Sequence, residues 1–183
     1  MKNSSDAGIR AKKIKLIILD VDGVLTDGRI TFNSKNEEFK SFDIKDGHGI
    51  RIAQKCGIKF AIITGRWSPI VEKRCKELNI DEVHQNADDK AKIFNEILNK
   101  YKIKEEEVAY MGDDLADVPV FKRAGLAATV SDAFDYIKKE VHYITKLKGG
   151  RGAVRELIDF ILQKQSQWNS IIKKEFFDRA GAE

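Results

Sequence analysis

The sequence predicts an α/β protein: a parallel sheet with helices on both faces and a β-hairpin after the first strand. Three observations carry that prediction. Continuous apolar runs, KLIILD at residues 15–20 and KFAIIT at residues 59–64, read as strands buried on both faces. Helical segments of about 10 to 15 residues separate the strands, as in right-handed βαβ units. Several strands end on turns rich in Asp, Gly and Thr, and sheets of this kind bind ligands at the carboxyl ends of their strands.

A chain of 183 residues is sized for one domain. A loose tail is expected at residues 1–13, the domain at 14–164, and a tail of undetermined structure at 165–183. Residues 15–20 form the first strand. Residues 29–32 and 38–43 flank Asn33-Ser34-Lys35-Asn36 and make the hairpin. Residues 49–56 form a short helix stopped by Gly57. The second buried strand is 59–64, followed by an amphipathic helix at 69–78 that Pro69 starts. A weak strand at 82–85 precedes a helix at 90–101 with Ile93, Ile97 and Leu98 on one face. Then come a strand at 108–111, a helix at 118–124 opened by Pro119, and strands at 126–130 and 142–145 around a helix at 133–140. The last helix is 153–164.

Composition narrows the function. Charged residues make up 34% of the chain, against roughly 25% in an average protein. Their balance is close, 33 Lys and Arg against 29 Asp and Glu, which gives no argument for nucleic acid. The longest apolar runs, 16–19 and 60–63, fall far short of the ~20 residues of a membrane span. Residues 1–13 contain no apolar stretch of the secretory kind. Cys56 and Cys75 are not in a C-x-x-C pattern and read as reduced packing thiols of a cytoplasmic protein.

The strand ends carry the chemistry. Asp20-Val21-Asp22-Gly23 follows the first strand, Thr64-Gly65-Arg66 the second, and Gly112-Asp113-Asp114-Leu115-Ala116-Asp117 the fourth. Lys90 opens a helix between them. In a parallel sheet these groups converge on one rim. Crowding Asp20, Asp22 and Asp113 together is costly unless a cation sits between them or one is protonated. Their oxygen ligands suit Mg²⁺, whereas His48, His84 and His142 are scattered and not at ligand spacing. With the Thr64 hydroxyl and the Lys90 ammonium, the set fits a phosphoryl group. An Asp can attack phosphorus, and a second carboxyl can protonate the leaving oxygen and later activate water. That second role calls for a raised pKa, which a neighbouring carboxylate tends to supply.

In this order the motifs resemble the haloacid dehalogenase superfamily of phosphohydrolases over roughly residues 14 to 158. The resemblance implies a Rossmann-like sheet and Mg²⁺-dependent hydrolysis through an aspartyl phosphate. It makes Asp20 the nucleophile and Asp22 the acid/base, with Thr64 and Lys90 on the phosphoryl group. Asp20, Asp113 and the carbonyl of Asp22 would hold the metal, supported by Asp114 and Asp117. The Gly-Asp-Asp motif runs to Asp117 with one spacer fewer than the family pattern.

A narrower resemblance rests on DVDGVLTDG, FDIKDGHGIR, AIITGR, EKRC, VAYMGDDLADVPV and GGRGAVRE. It is similar to the branch that hydrolyses 3-deoxy-D-manno-octulosonate 8-phosphate, the phosphorylated sugar acid of bacterial lipopolysaccharide. This implies a substrate site of Asp43, Lys45, Asp46, Gly47, Arg51, Arg66, Arg74 and Lys90. The arginines suit a ligand carrying both phosphate and carboxylate. A nine-carbon relative of the substrate is the alternative, and Arg66 argues against it, since in those relatives glutamate replaces this arginine. The glycine-rich segment 148–156 could bind an anion at the start of the last helix or help cover a site, with Arg151 and Arg155 candidates to reach a neighbouring subunit.

The stretches between Asp22 and Gly47 and between Thr64 and Lys90 leave no room for a cap domain, so the fold is expected to be capless. A homo-oligomer, most economically a tetramer, would then exclude water from the site, with the hairpin as its interface. A non-enzymatic receiver domain also gathers Asp, Thr and Lys on one rim. There, however, the phosphorylated Asp ends the third strand and the Lys comes last, whereas here the third strand ends without Asp and Lys90 precedes the Gly-Asp-Asp motif.

Overall fold

In the computed structural model the described residues are 4–174 and Asp178. In chain order the elements are α1 (Ser4–Ala11), β1 (Leu16–Leu19), β2 (Thr31–Phe32), β3 (Glu38–Phe39), α2 (Ile44–Lys55), β4 (Lys59–Ile63), α3 (Pro69–Glu77), β5 (Glu82–His84), α4 (Lys90–Tyr101), β6 (Val108–Met111), α5 (Val118–Phe121), β7 (Leu126–Thr129), α6 (Asp135–Lys138), β8 (Tyr143–Ile144), α7 (Ala153–Lys164) and α8 (Trp168–Ile172).

Six parallel strands form the main sheet in the order β5-β4-β1-β6-β7-β8. β1 lies inside the sheet because all four of its side chains are apolar and can be buried on both faces. Its last residue, Leu19, pairs with Ile62 of β4 and Met111 of β6. That register places Asp20, Thr64 and Gly112-Asp113 side by side at one end of the sheet. The switch between the βαβ arms lies at β1, where a crevice opens at the carboxyl ends. One helical layer joins α2, α7 and α1, and another joins α4 and α5. Val154, Leu157, Ile158, Ile161 and Leu162 of α7 face the core at helical spacing and are fully covered. Burying each stabilises the fold by about 1.5–3 kcal/mol. No helix among the described residues is long and apolar enough to cross a membrane.

The expected strand–helix order is observed, with differences at the margins. The loose tail expected at 1–13 is instead helical over Ser4–Ala11, because Ala7 and Ala11 give α1 a small apolar face that packs on α7. Gln165 fixes that contact by donating to the carbonyls of Ala11 and Ile14 at 3.1 and 2.7 Å. Within 165–183, Trp168–Ile172 is helical and Arg155 lies 5.5 Å from the Trp168 ring, while residues 175–177 and 179–183 lie outside the described residues. The hairpin forms its own two-stranded antiparallel sheet, with strands of only two residues. α2 starts at Ile44 rather than residue 49, because Asp43 caps it by accepting from the Lys45 N–H at 2.7 Å. The helix expected at 133–140 is limited to Asp135–Lys138. Cys75 is buried and Cys56 half-buried, both free, and burial pushes the Cys75 thiol up to about 11.

Candidate active site

The site is organised around Asp117, a side chain with no exposed surface. One of its oxygens accepts from the Lys90 ammonium at 2.6 Å and from the Tyr110 hydroxyl at 2.6 Å. The other accepts from the backbone N–H groups of Asp113 and Asp114 at 2.9 and 3.1 Å. Asp117 thus ties the start of α4, the inside of β6 and the loop after β6 into one unit. Lys90 reaches onward to Asp20, 3.1 Å away. The other oxygen of Asp20 accepts from the Val21 N–H at 2.7 Å, which fixes the carboxylate at the end of β1.

Carboxylate oxygens of Asp20, Asp113 and Asp117 lie within 4.8 Å of one another. Burial pushes Asp20 up to about 6, offset in part by Lys90. Burial, together with Asp20, Asp117 and Asp114, pushes Asp113 up to about 8. Such crowding is the signature of a place for a cation. Both Asp117 oxygens are taken up by their donors, so Asp20 and Asp113 are the side chains left to hold it. An all-oxygen donor set with few carboxylates fits Mg²⁺. Gly23 serves the same place: its φ is +91°, and a Cβ there would come within 2.0 Å of an Asp113 oxygen. Only glycine permits that approach. Asp114 is exposed and accepts from the Leu115 N–H at 2.7 Å, shaping the turn.

Thr64 is buried directly after β4, where its backbone bonds His84 and Ala87. Asp22, expected beside another carboxylate, is paired instead with the ammonium of Lys40. Lys40 also lies 3.7 Å from Glu38. Glu38 in turn accepts from Arg66 at 3.1 Å and from the Ser68 hydroxyl at 2.9 Å. The hairpin thereby contributes Glu38 and Lys40 to the rim. The sequence reading missed both, although the alternation Glu38-Phe39-Lys40 puts two charges on one side of a strand, a signal that could have found them. Tyr110 was missed as well. A tyrosine inside a buried strand needs a partner for its hydroxyl, which pointed to Asp117.

The remaining candidates separate into two groups. Arg74 stands over the Phe42 ring at 5.7 Å and has a buried Nε without a hydrogen-bond partner. Gly47 leaves room for it, since a Cβ there would lie 2.4 Å from the guanidinium. Arg51 donates to the Glu77 carbonyl at 2.6 Å, closing the end of α3. Lys45 is exposed on the first turn of α2, and His48 also lies on the exposed side of that helix. Asp46 differs from expectation. It is buried and accepts from the N–H groups of Gly152 and Arg155 at 3.3 and 2.7 Å, so it faces α7 rather than open solvent. The anion foreseen at the start of α7 is therefore this chain's own carboxylate, suited to the positive helix end. Burial pushes Asp46 up to about 6. The glycine-rich segment meets the loop after β1 through Gly150, whose N–H donates to the Val24 carbonyl at 2.9 Å. Arg151 lies 3.7 Å from Asp27.

Comparison with known proteins bears on this arrangement. The haloacid dehalogenase-like hydrolase family matches over residues 76–158. The 3-deoxy-D-manno-octulosonate 8-phosphate phosphatase of Escherichia coli K12 is 45% identical over 164 residues, covering 90% of this chain and 87% of its own. That of Salmonella typhi is 46% identical over 158 residues, 86% of this chain and 84% of its own. Among solved structures, the Moraxella catarrhalis enzyme in complex with magnesium, phosphate and the sugar acid superposes with a TM-score of 0.91. It is 38% identical and covers 94% of this chain and 99% of its own. The Yersinia pestis phosphatase gives 0.88 at 43% identity, over 90% and 89% of the two chains.

Proposed function

Because the chain belongs to the 3-deoxy-D-manno-octulosonate 8-phosphate phosphatases among the haloacid dehalogenase-like hydrolases, we infer that it releases phosphate from that sugar-acid ester in lipopolysaccharide precursor synthesis. The observation that carries the reading is the group Asp20, Asp113, Lys90 and Asp117 at the carboxyl end of β1. A metal-assisted phosphoryl transfer uses such a group.

Asp20, Asp113 and the carbonyl of Asp22 would hold Mg²⁺, which when bound would supply positive charge to the phosphoryl oxygens. The Asp20 carboxylate attacks phosphorus. The bond from phosphorus to the sugar oxygen breaks, and Asp22 gives that oxygen its proton. Lys90 and the Thr64 hydroxyl hold the phosphoryl oxygens as charge builds. In the second half Asp22 takes a proton from water, the water oxygen attacks phosphorus, and inorganic phosphate leaves with Asp20 restored. Asp117 and Asp114 act through their neighbours, Asp117 by aiming Lys90 and Asp114 by holding its turn.

Arg66 takes the substrate carboxylate, because one of its terminal nitrogens is buried without a partner while another is anchored on Glu38. Arg74, with its unpaired Nε, is the second cation of that region. By resemblance Lys45 and Arg51 belong to the same substrate site, and Gly47 makes space for Arg74. Asp43 and Asp46 serve by capping α2 and α7. A homotetramer in the cytoplasm completes the reading. It is supported by the lack of a cap insertion and by three apolar residues at the hairpin, Ile30, Phe32 and Phe39, each more than half exposed. The test is phosphate release from 3-deoxy-D-manno-octulosonate 8-phosphate, a nine-carbon acid phosphate and a simple hexose phosphate, with Mg²⁺ and with EDTA. The eight-carbon ester is expected to be preferred and EDTA to abolish turnover. Equal rates on all three would reject the substrate, and full activity in EDTA the metal.

A further inference from the structure

The hairpin places a buried ammonium against Asp22. The Lys40 side chain is only 1% exposed, and its neighbours in ion-pair range are Asp22 and, at 3.7 Å, Glu38. Burying an ammonium is costly unless it is paired, so this placement is a built feature of the rim. Lys40 donates to Oδ1 of Asp22. The ammonium thus fixes one of the two carboxylate oxygens of Asp22 in place. The Asp22 side chain is about one quarter exposed, and its carboxylate turns about χ1 and a broad χ2. Glu38 meanwhile accepts from Arg66 and from the Ser68 hydroxyl with its two oxygens. Asp22, Lys40, Glu38 and Arg66 therefore form one chain of alternating charge across the rim. Glu38 opens β3 beside Phe39, which is exposed, and Lys40 follows directly, so both charges reach the rim from the same short segment.

We infer that Lys40 is the positioning residue for Asp22, and that Glu38, by holding both Lys40 and Arg66, sets the acid/base carboxyl and the substrate-facing arginine in register. The inference rests on reading Asp22 as the acid/base. In a phosphatase without a cap domain, the hairpin then aligns the proton donor with the sugar oxygen it must reach.

The test uses a series of substituted phenyl phosphates that differ in leaving-group pKa and lack a carboxylate. The parameter kcat/KM reports the first phosphoryl transfer alone. A misaligned acid hurts poor leaving groups and spares good ones, which need no proton. For Lys40→Met, kcat/KM for the poorest leaving group is expected to fall by about tenfold or more, in keeping with the hundredfold or greater worth of a placed acid. The best leaving group is expected to change by less than about threefold. Lys40→Arg should recover part of the loss. Asp22→Asn, run alongside, should steepen the same dependence further. If Lys40→Met lowers the whole series evenly, Lys40 is only structural and the inference fails while the Asp22 reading stands. If Asp22→Asn shows no steepening, the acid/base reading itself fails. Should Lys40→Met not fold, Lys40→Arg and Glu38→Gln are compared, and wild-type slopes in both would overturn the inference.

Discussion

Asp20 and Asp117 are both buried carboxylates bonded to Lys90, yet their surroundings assign them different work. Asp117 has a donor for every direction it faces, so it is a scaffold. Asp20 has one partner on each oxygen and retains a little exposed surface, and on the proposed reading it is the group that reacts. Asp20→Asn is expected to preserve the fold and abolish turnover. Mass spectrometry of the quenched enzyme should find no phosphoryl adduct, and retained activity would remove Asp20 from its role. Arg66→Ala is expected to lower kcat/KM for the sugar-acid phosphate by roughly one to two decades, the worth of a charge-assisted contact. p-Nitrophenyl phosphate, which has no carboxylate, should be much less affected. Equal losses would place Arg66 in the phosphoryl site or the fold instead.

The crowded carboxylates also predict a pH-dependent metal effect. In the absence of a cation, Asp20 stands at about 6 and Asp113 at about 8, above the ordinary carboxylate value of ~3.9. The folded state therefore binds more protons than the unfolded chain in that window. The stability these groups contribute is fully present below about pH 4 and is lost as pH rises through 6 and 8. Mg²⁺ competes with those protons. The rise in Tm on adding Mg²⁺ is expected to be larger at pH 8 than at pH 5.5, and thermal melts at the two pH values decide it. A larger shift at the lower pH would contradict the assignment of these carboxylates to the metal.

At the scale of elements, the junction of α2 and α7 is held by one side chain. Asp46 sits in the first turn of α2 and caps the start of α7, more than a hundred residues later in the chain. Asp46→Ala leaves two donors unmet and is expected to cost about 1–2 kcal/mol in urea unfolding. Asp46→Asn, which can still accept, should keep most of that stability and leave KM near wild type. A raised KM with unchanged stability in the Asn variant would show that Asp46 meets the substrate after all. The hairpin is the opposite kind of element. Its two-residue strands are too short to be stable alone, and its ties to the rest of the rim run through Glu38 and Lys40.

At the scale of the whole molecule, Phe32 and Phe39 stand on the two faces of that hairpin, Phe32 opposite Glu38 and Phe39 opposite Thr31, each more than half exposed. Light scattering is expected to give the mass of a tetramer. The double variant Phe32→Ser/Phe39→Ser should shift the mass toward smaller species and reduce turnover, because contacts between copies would shield the site from water. An active monomer at micromolar concentration would overturn the assembly.

Periodicity and motif spacing alone determined the parallel sheet, the order of its elements, and the Asp20, Thr64, Lys90 and Asp113 group. These follow from local pattern: buried strands must be apolar throughout, and the polar residues that end them must emerge at one edge. Helices such as α4 and α7 were legible to their last residue because their apolar stripes and caps are local. Tertiary structure alone decided what long-range contacts decide. Ser4–Ala11 is helical because α7 offers it a surface, which eight residues of modest amphipathicity do not reveal. Asp46 reads like a ligand-facing acid until the start of α7 is seen against it. Lys40 reads like a surface lysine until the hairpin folds it onto Asp22, because a charge is recognised as functional only when its partner and its loss of water are both known.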